Sequence, residues 1–160
     1  MKNPPTVEGP EAGQRGKSPV ETAVYDTSRE VSTTGPVKVG DYWACSAGFS
    51  TEDFGDPVPD DVQRSQVEMV KSIFARCRPT RTVQPDEYLT IGWLKHDVER
   101  LTRHGYISRG AVLVAASEMG INIIPVFGED GPADEGFAPV TAYICINRRD
   151  VDRLLREVRA

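Results

Sequence analysis

The residues able to do chemistry are few and scattered. His96 and His104 stand eight apart on one predicted helix, whereas two ligands of one metal ion need a spacing of three or four. Cys45, Cys77 and Cys145 are spaced 32 and 68 apart, an odd number of thiols that suits neither a disulfide framework nor a zinc site. Cys45, with Gly48 after it and two histidines elsewhere, supplies the inventory of a thiol nucleophile and its base but not their juxtaposition. Ser108, in Gly-Tyr-Ile-Ser-Arg-Gly, misses the Gly-x-Ser-x-Gly elbow by one position and follows a helix instead of a strand. Asp53-Phe54-Gly55 spells the magnesium tripeptide of kinases, without the glycine-rich loop, strand lysine or catalytic-loop sequence that would give it meaning. The sequence contains neither a Walker phosphate-binding motif nor a dinucleotide fingerprint. Asp60-Asp61, Asp86-Glu87 and Glu129-Asp130 fall at predicted helix starts or in a loop, where capping and solvation account for them. The expectation is a protein that is not an enzyme and takes no metal or cofactor.

Charge is organised more clearly than catalysis. Residues 1–61 carry five basic and eleven acidic side chains, 62–125 nine and six, and 126–160 five and seven, so only the middle third is net positive. Arg76, Arg78, Arg81, Arg100, Arg103 and Arg109 in that third, with Lys71, Lys95 and Tyr106, are candidates to hold a phosphate backbone or an acidic protein surface. The thirteen-residue segment Gly128 to Val140 sets Glu129, Asp130, Asp134 and Glu135 around one large apolar residue, Phe137. Loops of that length tend to be functional or mobile, and this composition suits docking on a basic partner. The aromatic-acidic stretch 41–54, with Tyr42, Trp43, Phe49 and Phe54, is a second candidate contact surface.

The elements that must position these residues follow from periodicity. Residues 1–36, with five Pro, four Gly and no helical or strand period, read as a disordered tail. Within 37–58, Val37-Lys38-Val39 and Tyr42 to Cys45 read as short strand pieces, and Ser46 to Pro59 as loop. A helix is predicted over 61–78, with Val62, Met69, Val70, Ile73, Phe74 and Cys77 on one stripe. Asp60 and Gln63 would form its capping box, Arg76 and Arg78 its last turn, and Pro79 its stop. A second helix over 86–104 has a seam of Tyr88, Ile91, Leu94, Val98 and Leu101, widened by Leu89 and Trp93. Gly105 would cap it left-handedly, and Gly92 inside it would mark a close packing contact. The third, over 109–119, follows Ser108 as N-cap and is apolar all round, the mark of a buried helix. Strands over 121–127 and 141–146 make a hairpin, with Pro125 placing the first at an edge or bulge. Asn147 then caps a helix over 148–159 with Val151, Leu154, Leu155 and Val158 inward.

The expected fold is therefore α+β: three helices, a hairpin and a C-terminal helix, in a single domain over 37–160. The second and third helices resemble a helix-turn-helix arrangement, with the hairpin where a wing would stand. Against that, the would-be recognition helix offers Val112, Leu113 and Val114 where base edges need polar groups, and the would-be wing carries Glu129, Asp130, Asp134 and Glu135.

Composition bounds the rest. The chain of 160 residues has a net charge of −5, which argues against a generally basic nucleic-acid-binding protein. The longest strictly apolar run is six residues, Ala111 to Ala116, too short to span a bilayer. The N-terminus lacks the apolar stretch of a secretory signal, and the reading is a reduced, cytoplasmic chain with no membrane contact. The expected function is a non-catalytic regulatory or accessory protein that binds another protein through Trp43, Phe54 and the acidic segment around Phe137. The alternative is a winged-helix-like DNA-binding regulator using residues 76–109. A small enzyme is the third class, which would require a cleft around Cys45 and a histidine.

Overall fold

The computed structural model describes residues 32–50, 61–82, 86–129 and 138–159. Among these, four α-helices, a three-stranded antiparallel sheet and a two-stranded one form a mixed α+β fold. In chain order the elements are β1 (Lys38–Val39), β2 (Tyr42–Cys45), β3 (Gly48–Phe49), α1 (Arg64–Phe74), α2 (Ile91–Thr102), α3 (Arg109–Glu118), β4 (Ile123–Val126), β5 (Thr141–Ile144) and α4 (Arg148–Arg159).

Helix α3 is the hub. Ala111 to Ala116 have no accessible surface, as an all-round apolar helix requires, and α1, α2 and the first sheet pack against it. Ser108 caps it as expected, its hydroxyl accepting the Ala111 amide at 3.1 Å while its own amide donates to Gln66 at 2.8 Å. The alanines allow close approach on its flanks, but the tightest contact is at its first turn. A Cβ on Gly110 would lie 2.0 Å from the Cys45 carbonyl oxygen, so only glycine lets the helix start against the β2–β3 turn. Gly92, the glycine singled out from sequence, meets only Arg109 Nε at 3.4 Å, an ordinary contact.

The first sheet is a meander with Lys38 opposite Trp43, Val39 opposite Tyr42, and Ala44 opposite Phe49. Gly40, at φ 66°, makes the two-residue turn between its first strands. Val39, Tyr42, Ala44 and Phe49 are buried, and the Tyr42 and Phe49 rings meet edge-on at 5.7 Å. The sheet corrects the reading of 46–59 as wholly loop, since Gly48–Phe49 is a strand. Residues 1–31, most of the segment read as a disordered tail, lie outside the described residues. Thr33 and Thr34, in the same segment, already pair with the domain through Gln63 and the Val62 carbonyl.

Several helix boundaries move inward. Helix α1 starts at Arg64 after Gln63, which makes no side-chain cap, and Asp60 lies outside the described residues. Asp61 instead accepts the Ser46 amide at 2.9 Å and hydroxyl at 2.7 Å. Helix α1 ends at Phe74, so Arg76 and Arg78 follow it and do not occupy its last turn. The helix expected over 86–104 is broken at Thr90, which is extended and bridges Tyr143, leaving a 3-10 turn at Glu87–Leu89 before α2. That break leaves Tyr88 outside the helix and 46% exposed, while Ile91, Leu94 and Val98 remain in the core and Trp93, on another face of α2, is 40% exposed. The left-handed residue that ends α2 is Arg103, at φ 55°, two residues before the expected glycine.

In the hairpin Ile123 faces Ile144 and Pro125 faces Ala142. The Cys145 amide donates to the Asn122 carbonyl at 3.0 Å, so Asn122, Ile124 and Val126 aim their backbone groups at β5. Pro125 is one out of phase, and its donor-less nitrogen faces the outer edge, where no strand pairs with β4 among the described residues. Helix α4 begins as predicted, with the Asp150 amide donating to Asn147 Oδ1 at 3.2 Å. Val151 and Leu154 are buried, but Val158 is exposed.

Candidate functional site

Helix α2 has two faces. Ile91, Leu94, Val98 and Leu101 form the inner one, and Trp93, His96, Arg100 and Arg103, spaced three, four and three apart, form the outer one. Two clefts run beside that outer stripe. The larger, about 640 Å³, is lined by Thr90, Gly92, Trp93 and His96, by Arg109 at the first turn of α3, by Ala47 of the β2–β3 turn, and by Val140 and Thr141 entering β5. The second, about 470 Å³, is lined by His96, Glu99, Arg100, Arg103 and Gly105. His96 borders both, so the two clefts adjoin along the outer stripe of α2 and together form its groove.

The groove is cationic because its carboxylates are already engaged. Glu99 contacts Lys95 Nζ at 3.0 Å and His96 Nδ1 at 2.9 Å and accepts the Ile107 amide at 2.9 Å. Burial opposes its charge, yet those partners outweigh burial and hold its carboxyl below the usual range. Asp97, almost fully buried, is bound by Arg148 at 2.7 Å, and Arg100 reaches its other oxygen at only 3.4 Å. Arg103 and Arg109 pair with no carboxylate among the described residues. Arg103 is also the one non-glycine residue there with positive φ, a conformation that costs an L-residue about 1 kcal/mol or more. Trp93 is the aromatic residue lining the larger cleft, its ring meeting that of Tyr88 at 5.0 Å; Tyr106, 57% exposed, follows Gly105 of the second cleft and lies under Lys95 Nζ at 4.7 Å.

The six arginines picked from sequence divide. Arg100, Arg103 and Arg109 line the groove, whereas Arg76 pairs with Glu157 at 3.2 Å and Arg78 grips Asp150 through two nitrogens, at 2.9 and 3.0 Å. Arg81 is exposed and does not line the groove; its carbonyl accepts from Asn122. Of the acidic and aromatic candidates, Phe54, Asp130, Asp134, Glu135 and Phe137 lie outside the described residues. Glu129 is exposed. Trp43 is half-buried under Lys38 Nζ at 5.3 Å, and its buried indole N–H has no hydrogen-bond partner among the described residues. Sequence reasoning missed the groove role of Trp93 and His96, having put the first on an apolar face and weighed the second as a metal ligand, as a base for Cys45 and as a neighbour of the basic segment. The signal was available in the three-four-three spacing of the outer stripe.

Other chemistry finds less support. Burial pushes the Cys45 thiol up, away from the thiolate a nucleophile needs, and Cys45 does not line the cleft that holds His96. Cys77 is pushed up to about 11, again by burial. Among the described residues no group of three His, Cys, Asp or Glu could hold a metal ion. No helix among them is long and apolar enough to cross a membrane. Compared with known proteins, the chain matches no family model, no curated protein and no solved structure.

Proposed function

We propose that this is a non-catalytic accessory protein that binds an anionic macromolecule through the groove along α2. The observation that carries this reading is the pair Arg103 and Arg109. Both line the groove without a carboxylate partner among the described residues, although most of the other arginines and lysines there, from Arg64 to Arg153, are matched by an acid. Cations left unpaired beside exposed aromatic rings fit a surface completed by a partner.

Retention on immobilised heparin, a generic polyanion, tests it. The chain is expected to bind and to elute at lower salt when Arg103→Glu and Arg109→Glu are combined. Arg156→Glu with Arg159→Glu, on the solvent face of α4, should leave elution nearly unchanged. Equal loss in both double variants, or loss only in the second, defeats the reading.

The acidic segment beginning at Glu129 supports a second surface, of opposite charge. Glu129 is exposed and unpaired among the described residues. Binding of a polylysine chain that disappears with Glu129→Lys and Phe137→Ser, and survives the groove variants, would locate a protein-binding site there.

A further inference from the structure

We infer that the occupant of the groove is a single strand of nucleic acid, with bases stacked on Trp93 and phosphates held by Arg100, Arg103 and Arg109. This rests on the reading of the groove as the binding surface and names its ligand. Sites for single strands combine a cationic channel that follows the backbone with aromatic faces on which bases stack, and this groove carries both on one surface. Trp93 is 40% exposed beside His96 and Arg109, and Tyr106 is 57% exposed over Lys95 near the second cleft. From Trp93 to Arg103 the helix rises about 15 Å, room for a few successive nucleotides. Thr141 adds a hydroxyl to the wall of the larger cleft, whereas the Thr90 hydroxyl there already donates to the Glu87 carbonyl at 2.6 Å.

Duplex DNA fits worse. The helix that would enter a major groove is α3, whose residues 111–116 have no accessible surface. An acidic peptide would satisfy the guanidinium groups but leave the exposed face of Trp93 without a use. Glu99, the one carboxylate lining the groove among the described residues, is taken by Lys95, His96 and the Ile107 amide, so it does not repel a phosphate as a free acid would.

The test uses the full chain and a fluorescein-labelled oligothymidylate of about 12 nucleotides, followed by anisotropy. Three neutralised phosphates predict that the logarithm of affinity falls with the logarithm of salt at a slope of about −2. Trp93→Leu should weaken binding about tenfold or more, the share of one stacked base. Arg103→Glu with Arg109→Glu should abolish it at moderate salt. In a Trp43→Phe chain, where Trp93 is the remaining tryptophan, the unlabelled oligonucleotide should quench its emission. Anisotropy on the unsubstituted chain needs no such exchange and stands if that variant folds poorly.

A polyglutamate peptide of matched charge forms the second arm. If polyglutamate binds through the arginine pair and the oligonucleotide does not, the nucleic-acid inference falls and the groove reading survives. If neither binds, both fall. Oligonucleotide binding that ignores Trp93 and the arginine pair also overturns the inference, because the ligand then sits elsewhere.

Discussion

Helices α2 and α3 are consecutive and nearly equal in length, twelve and ten residues, yet they hold opposite positions in the molecule. Helix α3 is enclosed by α1, α2 and the first sheet, and its middle offers nothing to solvent. Helix α2 buries one face and turns outward a stripe of Trp93, His96, Arg100 and Arg103. The buried run 111–116 of the inner helix is specified by volume and small residues, and substitutions there should act on folding alone. The outer stripe contributes little to packing, so its side chains are available to a partner. Substitutions in the two helices should therefore separate stability from binding.

The largest expected contrast comes from the same exchange at one glycine of each helix. Gly110→Ala places a methyl 2.0 Å from the Cys45 carbonyl oxygen and 2.7 Å from its carbon, and backbone cannot move aside as a side chain can. The loss should reach about 3 kcal/mol, the upper range for overpacking. Gly92→Ala meets only the Arg109 side chain at 3.4 Å and replaces a poor helix former, so it should gain up to about 1 kcal/mol. Urea unfolding of the two variants reads both signs. Similar shifts would show that α3 is not seated against the β2–β3 turn.

A smaller contrast divides the partners of one carboxylate. Asp97→Asn leaves Arg148, whose side chain is only 20% exposed, without its closest counter-charge. The cost should be about 2 kcal/mol, below that of breaking a fully buried pair because Asp152 still holds Arg148 at 2.9 Å. Arg100→Ala removes the outer partner, 3.4 Å away and half exposed, and should change stability by less than about 0.5 kcal/mol. Thermal melts of the pair distinguish a structural cation from one left for a ligand.

Helix α3 also sets an acid limit. Glu118 is its last residue, where the helix dipole disfavours a negative charge, and Arg64 and Lys71 of α1 offset this at 2.8 and 2.9 Å. The hydrogen bond from Arg64 is the main cause that brings its carboxyl down from 4.5 to about 2. A carboxylate whose folded pKa is lowered stabilises fully above its unfolded value. That contribution should therefore hold above pH 4.5 and fade as the pH drops towards about 2. Melting temperature followed across that window should fall less steeply in Glu118→Gln, and an unchanged slope would assign the acid limit to other groups.

The fold was largely legible because periodicity and caps are local signals. Ser108, Asn147 and the apolar run 111–116 act where their residue types place them, and Pro125 sits where its missing donor does no harm. What failed was long-range. Nothing near Thr90 in sequence announces that it bridges Tyr143, yet that bridge breaks the expected helix and leaves Tyr88 exposed outside it. Gly110 was not singled out, because its constraint comes from Cys45, 65 positions away. The groove was half legible: Arg100, Arg103 and Arg109 were named, but only the fold could remove Arg76 and Arg78 by giving them Glu157 and Asp150.

A modest expected effect on stability is the most telling for function, because its two readouts should move in opposite directions. Arg103 ends α2 in a left-handed conformation that glycine adopts freely and an arginine does not. Arg103→Gly relieves that strain and should stabilise the chain by about 1 kcal/mol in urea. The same exchange removes an unpaired cation from the wall of the second cleft and should lower the salt at which the protein leaves heparin. A gain in stability coupled to a loss of polyanion binding is what a residue kept for its partner predicts. A gain in stability with heparin elution unchanged would mark Arg103 as a tolerated cap, and the groove would then have to act through Arg109 and Arg100 without it.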